Sequence, residues 1–502
     1  MPTGTLFNDS IFGCNYSEIY LGDAGDDTLY GSEGNDTIDG GRDSDKVSYS
    51  SLGAVVTLGA YGMVKKSGLG IDKLIGIEAI VGSSLAGDTI DHSGAVSGGG
   101  VIVNGTTTDL ANNKVIVRLS GAQSSLEFKV EQFENVIGSI YNDTITGDAA
   151  NNSLNGGAGN DTINGLGGND TINGGAGIDT ASYETVGAGV TVSLALQGST
   201  QNTLAAGSDL LISIENLIGS AFNDILTGDG NANKLNGGAG SDNFIGSAGY
   251  DTIDGGAGLD TANYSSLGAL VTLGALGKLS KGVNLPSGLG IDELIGIETI
   301  VGSSLAGDTI DHSGAVSGGG VIVNGTTTDL ANNKVIVHLS GTQSSLEFKV
   351  EQFENVIGSI YNDTITGDAA KNSLNGGAGN DILAGGLGSD ILVGGSGSDI
   401  FKYFSATEST AGALNRDMIT DFQLGIDKLD LSAINANPCV IFDQAFTFIG
   451  NCGAFTSIGQ LRYQVTGGNL FLYGNVDANF ATSEFELQLS GLASIAAANI
   501  IL

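Results

Sequence analysis

The chain has 502 residues and sets 55 Asp plus Glu against 18 Lys plus Arg, a formal charge of -37 that repels nucleic acid and anionic membranes and favours cations. Its 83 glycines and 3 prolines, without a G-X-Y period, exclude collagen and proline-rich linkers, and the carboxylates lie between apolar residues instead of forming one solvated tail. No basic and apolar leader opens the sequence and no apolar run is long enough to span a bilayer, so neither a cleaved signal nor membrane insertion is expected.

From Gly4 the sequence reads in steps of nine: GTLFNDSIF, GCNYSEIYL, GDAGDDTLY, GSEGNDTID and GGRDSDKVS. These five nonads make a first block over residues 4–48, and the same frame returns in blocks at 138–182, 219–263 and 358–402. A tyrosine follows each block: Tyr49, Tyr183, Tyr264 and Tyr403. Between the blocks lie connectors at 49–137, 183–218 and 264–357, and residues 67–137 recur nearly verbatim at 287–357. A motif of the form I/F-E-x-I/V-I/V-G-S recurs at Glu78, Glu134, Glu215, Glu298 and Glu354, after alternating apolar stretches such as VTVSL at 190–194. The connectors therefore read as further β-coils, not flexible linkers. A segment of different character occupies 403–502.

The nonad has the form G-G-x-G-x-D-x-U-x, with U a large apolar residue. Glycine at positions 1, 2 and 4 is expected to allow positive φ and to turn carbonyls towards one point, to which Asp at position 6 adds a carboxylate. Position 8 is apolar or aromatic in every nonad, from Ile11 to Phe401, and the tripeptide around it reads as a short strand facing inward. Stacked aspartates about 5 Å apart would repel by about 3 kcal/mol per pair at an effective dielectric near 20, a penalty that a divalent cation reverses. An all-oxygen, irregular ligand set suits Ca²⁺ better than Mg²⁺ or Zn²⁺, and His92, His312 and His338 are too scattered for zinc. The leading candidate ligands are Asp27, Asp36, Asp45, Asp161, Asp170, Asp179, Asp242, Asp251, Asp260, Asp381, Asp390 and Asp399. Asp9, Asp143, Asp224 and Asp363 hold the same position in the opening nonads, where an aromatic residue at position 4 counts against them. In the second nonads Glu18, Asn152, Asn233 and Asn372 are weaker ligands or polar residues that stack between coils.

This pattern resembles the RTX family of calcium-binding nonapeptide repeats. The resemblance implies an all-β parallel β-roll, or β-solenoid, in which two nonads make one coil and on the order of a dozen calcium ions lie between stacked turns. Residues 403–502 are similar to the β-rich carboxyl-terminal domain that follows the roll in serralysin-type exoproteins. Asp417, Ile419, Asp421, Phe422, Gly425, Asp427, Lys428, Asp430 and Leu431 carry that similarity, in the pattern D-x-I-x-D-F-x-x-G-x-D-x-x-D-L. It implies an uncleaved signal read by a type I secretion apparatus, and hence an extracellular or cell-surface protein of a Gram-negative bacterium that folds when it meets external calcium.

No H-E-x-x-H or G-x-S-x-G motif occurs, and the first nonad begins at Gly4, so no enzyme is expected. The duplication and an uncapped first coil point to a structural protein associating head-to-tail or laterally into a filament, S-layer or matrix. The alternative is a non-catalytic adhesin whose connectors bind cell-surface glycans. Among the three cysteines a Cys439–Cys452 bridge is an open alternative to free thiols.

Overall fold

A nine-residue repeat with one inward apolar side chain buries it only if copies stack on one another. The computed structural model describes all residues except 1, 60, 96–102, 120–124, 275–276, 283–288, 316–322, 340–344, 441–442 and 452. In a typical nonad, positions 7–9 form a strand and the six preceding residues a turn. Thr162–Asn164 bonds in parallel to Thr144–Thr146 on one side and to Thr180–Ser182 on the other, in a register of eighteen residues. Nonads i and i+2 are therefore neighbours, and the alternate nonads build a second ladder, as Ser153–Ala158 does with Thr171–Ala176. Position 8 points inward in both ladders: Ile145, Leu154, Ile163 and Ile172 are fully buried, each worth about 1.5–3 kcal/mol of apolar burial. The fold is an all-β parallel β-roll; among the described residues there is no α-helix, only single 3-10 turns at Leu194–Leu196 and Ala497–Asn499.

The chain divides into two units, Met1–Phe244 with Asp251–Gly258, and Ile245–Tyr250 with Leu259–Leu502. In the first unit the connectors continue the ladders, as their alternating pattern requires, but they do so through antiparallel meanders. Val56–Gly59, Met63–Lys66 and Gly70–Ile75 form one such meander. Its last strand joins Thr37–Asp39 in parallel and its first joins Thr89–Asp91, so the ladder enters the meander on one side and leaves it on the other. Val103–Asp109, Lys114–Leu119 and Leu126–Glu131 repeat the device in the other ladder, between Ala79–Val81 and Thr144–Thr146.

The second unit contains the duplicate connector with the same construction. Val271–Gly274, Lys278–Lys281 and Gly290–Ile295 form its first meander, and Val323–Asp329, Lys334–Leu339 and Leu346–Glu351 its second. Beyond the fourth block both ladders run on into the carboxyl-terminal segment. Asp417–Ile419 pairs with Ile391–Val393, and Lys428–Asp430 pairs with Ile400–Lys402. The first of these ladders then meets an antiparallel sheet of Gln460–Thr466, Asn469–Asn475 and Phe485–Leu489.

Candidate metal sites

The turns are shaped by glycine in two distinct ways. At positions 2 and 4 the backbone is left-handed, with φ of +102° at Gly157 and +118° at Gly159, a conformation that glycine adopts without steric cost. Position 1 does not follow the expected rule, since Gly156 has no positive φ. It is glycine for lack of space: a Cβ there would lie 2.2 Å from Asp161 Oδ2 and 2.5 Å from the Gly174 carbonyl oxygen of the next coil. A carboxylate oxygen and a stacked carbonyl thus converge on the same small volume.

The aspartates at position 6 form columns in which one oxygen is structural. The amide of Asp143 donates to Asp161 Oδ1 at 2.7 Å, and that of Asp161 to Asp179 Oδ1 at 2.8 Å. The same link runs from Asp27 to Asp45 at 2.9 Å and from Asp381 to Asp399 at 2.9 Å. The second oxygen is left over: Oδ2 of Asp27, Asp45, Asp161, Asp170, Asp179, Asp381, Asp390 and Asp399 is buried and has no hydrogen-bond donor among the described residues. Such an anionic oxygen costs at least ~1–3 kcal/mol unless something positive meets it. Burial pushes Asp161, Asp170, Asp381 and Asp390 up to about 7. Asp242, Asp251 and Asp260 hold the same buried place, and Oδ1 of the first two accepts from the amides of Asp224 and Asn233 at 2.8 and 3.0 Å. Among the described residues no group of three or more His, Cys, Asp or Glu side chains converges. A cation in these turns would therefore draw on paired carboxylates and backbone carbonyls, a donor set that fits Ca²⁺ and not zinc. His92 and His312 belong elsewhere, buried against Thr108 and Thr328 and pushed down to about 4 by burial.

Five of the candidate aspartates are arranged differently, and for a visible reason. In the opening nonads position 2 is Ser or Thr, whose amide and hydroxyl occupy the carboxylate. Asp143 Oδ2 accepts from Ser139 N at 2.5 Å and Ser139 Oγ at 2.9 Å, while its Oδ1 accepts from Thr106 Oγ1 at 2.9 Å. Asp363 has the same partners in Ser359 and Thr326, and Asp224 in Ser220 and Val190. Asp9 Oδ2 accepts from Thr5 N and Oγ1. In these four the carboxylate is met by donors of its own turn, supplied by Thr5, Ser139, Ser220 and Ser359 at position 2. The fifth is Asp36, whose Oδ2 faces the Lys66 ammonium at 3.3 Å and Ser32 Oγ at 3.4 Å. In the second nonads Asn152 and Asn372 stack between coils, each donating to a carbonyl, Glu134 O at 2.9 Å and Glu354 O at 3.1 Å.

Other column members come from outside the blocks. Oδ1 of Asp72, Asp209 and Asp417 accepts from the amides of Asp36, Asp170 and Asp390 at 3.0, 3.1 and 2.8 Å. The recurring glutamates do the same, Glu78 for Asp45 at 2.9 Å and Glu215 for Asp179 at 2.8 Å. Their signal was present as half-nonads: Gly70-Ile71-Asp72-Lys73-Leu74 and Gly207-Ser208-Asp209-Leu210-Leu211 reproduce positions 4 to 8. The tyrosine after each of the first three blocks serves this joint. Tyr49, Tyr183 and Tyr264 donate to Oδ2 of Asp72, Asp209 and Asp292 at 2.9, 3.3 and 2.7 Å.

In the carboxyl-terminal pattern, Asp417 and Asp427 extend the columns, the latter accepting from the amide of Asp399 at 3.1 Å. Asp421 caps the last glycine turn, taking the amides of Gly394 and Gly395 at 2.9 and 2.8 Å. Phe422 packs on Phe401 with ring centroids 5.8 Å apart, Ile419 and Leu431 are buried, and Gly425 supplies a φ of +80°. Lys402 approaches Asp430 at 3.6 Å. Cys14 and Cys439 are exposed, and the Cys439–Cys452 alternative falls outside the described residues.

Comparison with known proteins agrees with this geometry. The RTX calcium-binding nonapeptide repeat matches residues 15–47, 133–163, 146–181, 213–244 and 236–265, and the serralysin C-terminal family of M10 peptidases matches 334–502. The second match takes in the fourth block as well as the segment after it. No curated protein matches the chain. Among solved structures, a repeat subunit of the mannuronan C5-epimerase of Azotobacter vinelandii is 29% identical, over 30% of this chain and 77% of that one, with a TM-score of 0.23. The extracellular lipase of Serratia marcescens is 20% identical, over 57% of this chain and 39% of that one, with a TM-score of 0.16. With the repeats and the carboxyl-terminal pattern in agreement, the chain carries RTX calcium-binding nonapeptide repeats followed by a serralysin-like carboxyl-terminal segment.

Proposed function

We propose that this protein is a non-catalytic structural protein, folded by calcium once outside the cell and assembling there into a filament, S-layer or matrix. The observation that carries the calcium part is the row of buried Oδ2 oxygens without donors in the columns through Asp27, Asp161 and Asp381. A fold that leaves anionic oxygens unmet is completed by a cation supplied from outside. With little calcium in the cytosol the columns repel and the chain stays export-competent for the type I apparatus; external calcium then drives folding. Self-association is supported by Leu6, Phe7, Phe12 and Tyr16 on the first coil, all strongly exposed apolar or aromatic residues.

A second reading, an adhesin for cell-surface glycans, is favoured by the twin connectors. They fold with matching registers, Thr106↔Val117 in one and Thr326↔Val337 in the other, which would give two equivalent sites and avidity. A calcium titration followed by circular dichroism and negative-stain microscopy tests the first reading. Calcium is expected to induce β-signal and then multimers. An unchanged β-signal in chelator sinks calcium-driven folding, single particles at saturating calcium sink assembly, and glycan-array binding by those single particles selects the adhesin.

A further inference from the structure

We infer that Lys66 is a resident cation that takes the place of a calcium ion in the turn of Asp36 and Asp72, and that Lys281 does the same beside Asp292. The inference rests on the calcium reading above and refines it, because it names turns that need no metal.

The lysine arrives from the connector, not from a nonad. Strand Met63–Lys66 is the middle strand of its meander, and its alternation buries Val64 and Lys66 while Met63 and Lys65 face solvent. The Lys66 side chain is fully buried. Its Nζ donates to the Ser32 carbonyl at 2.6 Å, to Asp36 Oδ2 at 3.3 Å and to Asp72 Oδ1. Asp36 Oδ2 is the same atom of the nonad that has no donor in Asp27, Asp45, Asp161 and Asp170. Here the positive charge is covalently built in. Asp72 is completed by Tyr49, which donates to its Oδ2 at 2.9 Å. An ammonium in contact with both carboxylates and a turn carbonyl fills the oxygen set that a metal would use, and repels a divalent ion brought to the same atoms.

The duplicate connector builds the pair again. Lys281 is fully buried, donates to Asp292 Oδ1, and Tyr264 meets Asp292 Oδ2 at 2.7 Å. Lys66 stands six residues before Asp72 and Lys281 eleven before Asp292, so the contact forms across loops of different length. Among the described residues these are the only buried lysines. The second connector supplies the contrast. Six residues before Asp209 stands Thr203, whose hydroxyl donates to Asp209 Oδ2 at 3.0 Å; it is neutral, and Asp170 Oδ2 is left without a donor.

The test counts calcium ions bound by the full chain, by equilibrium dialysis with radioactive calcium, in the wild type and in the Lys66→Thr and Lys66→Thr/Lys281→Thr variants. The expected result is one additional ion for each lysine removed. An unchanged count in variants that keep their circular dichroism overturns the inference. Should those variants fail to fold, Thr203→Lys decides: it is expected to bind one ion fewer than the wild type and to keep amide-exchange protection over 165–173 in chelator. An unchanged count there overturns the inference equally. A wild type that takes up no calcium at all fells the calcium reading and this inference with it, whereas uptake with an unchanged count fells this inference alone.

Discussion

In the turn of Asp36 and Asp72 a buried lysine lies against both carboxylates, whereas in the turn of Asp170 and Asp209 the matching position holds a threonine and one carboxylate oxygen has no donor. Both turns use the same column link, an amide donating to the next coil's Oδ1 at 3.0 and 3.1 Å, and both end on a tyrosine hydroxyl. The backbone thus specifies a place for positive charge without specifying its source. One residue of a meander strand decides whether that charge is carried by the chain or taken from solution.

The largest effect that would separate the two turns is that of pH on the calcium-free chain. Burial raises Asp161, Asp170, Asp381 and Asp390 from 3.8 to about 7 and Asp417 to about 8 in the folded state. The folded chain therefore holds protons that the unfolded chain releases, and stability falls as pH rises. Without calcium these turns should be most stable below about pH 4, lose stability as pH rises from there through about 7 to 8, and regain it when calcium is added. Amide exchange in metal-depleted buffer would check this, with protection over 165–173 expected to fall before protection over 31–39. Equal loss in both segments would remove the distinction between the turns.

The next effect is on the lysine itself. Removing one partner of a buried ion pair leaves the other charge unmet, so Lys66→Met should destabilise its turn by about 3–5 kcal/mol in chelator. Thr203→Val removes only a neutral donor and should cost about 1 kcal/mol. Local exchange free energies measured over 31–39 and 207–212 would compare them; similar losses at the two sites would break the comparison.

The smallest effect concerns the frame that both turns share. Gly156→Ala places a Cβ against Asp161 Oδ2 and the Gly174 carbonyl, and overpacking of this kind should cost about 1–3 kcal/mol. It should also weaken calcium binding at that turn. Gly187→Ala meets nothing within 4 Å and serves as the control. Chemical denaturation at saturating calcium would show whether the two variants differ.

Much of this molecule is legible in its sequence. The nine-residue period, the strand at positions 7–9 and the burial of position 8 follow from local chemistry repeated in register. A three-residue strand with one apolar side chain has no other way to leave water than by stacking. The columns of Asp161 and Asp179, or of Asp381 and Asp399, follow for the same reason: a fixed period places identical side chains above one another. The half-nonads at Asp72 and Asp209 were readable too, but they are hidden because their glycine-aspartate-leucine spacing stands alone in a connector instead of recurring.

What the tertiary structure decided is which of those carboxylates remain unmet. Asp143 and Asp161 occupy the same nonad position, yet Ser139 and Thr106 satisfy the first while Oδ2 of the second has no donor. Thr106 comes from 37 residues away and Lys66 from 30 residues away, brought in by antiparallel meanders whose pairing no nonad encodes. A period fixes the neighbours one coil away, because every turn carries them at the same offset. Groups that arrive once, from a strand outside the period, are placed only by the closed register of the whole ladder.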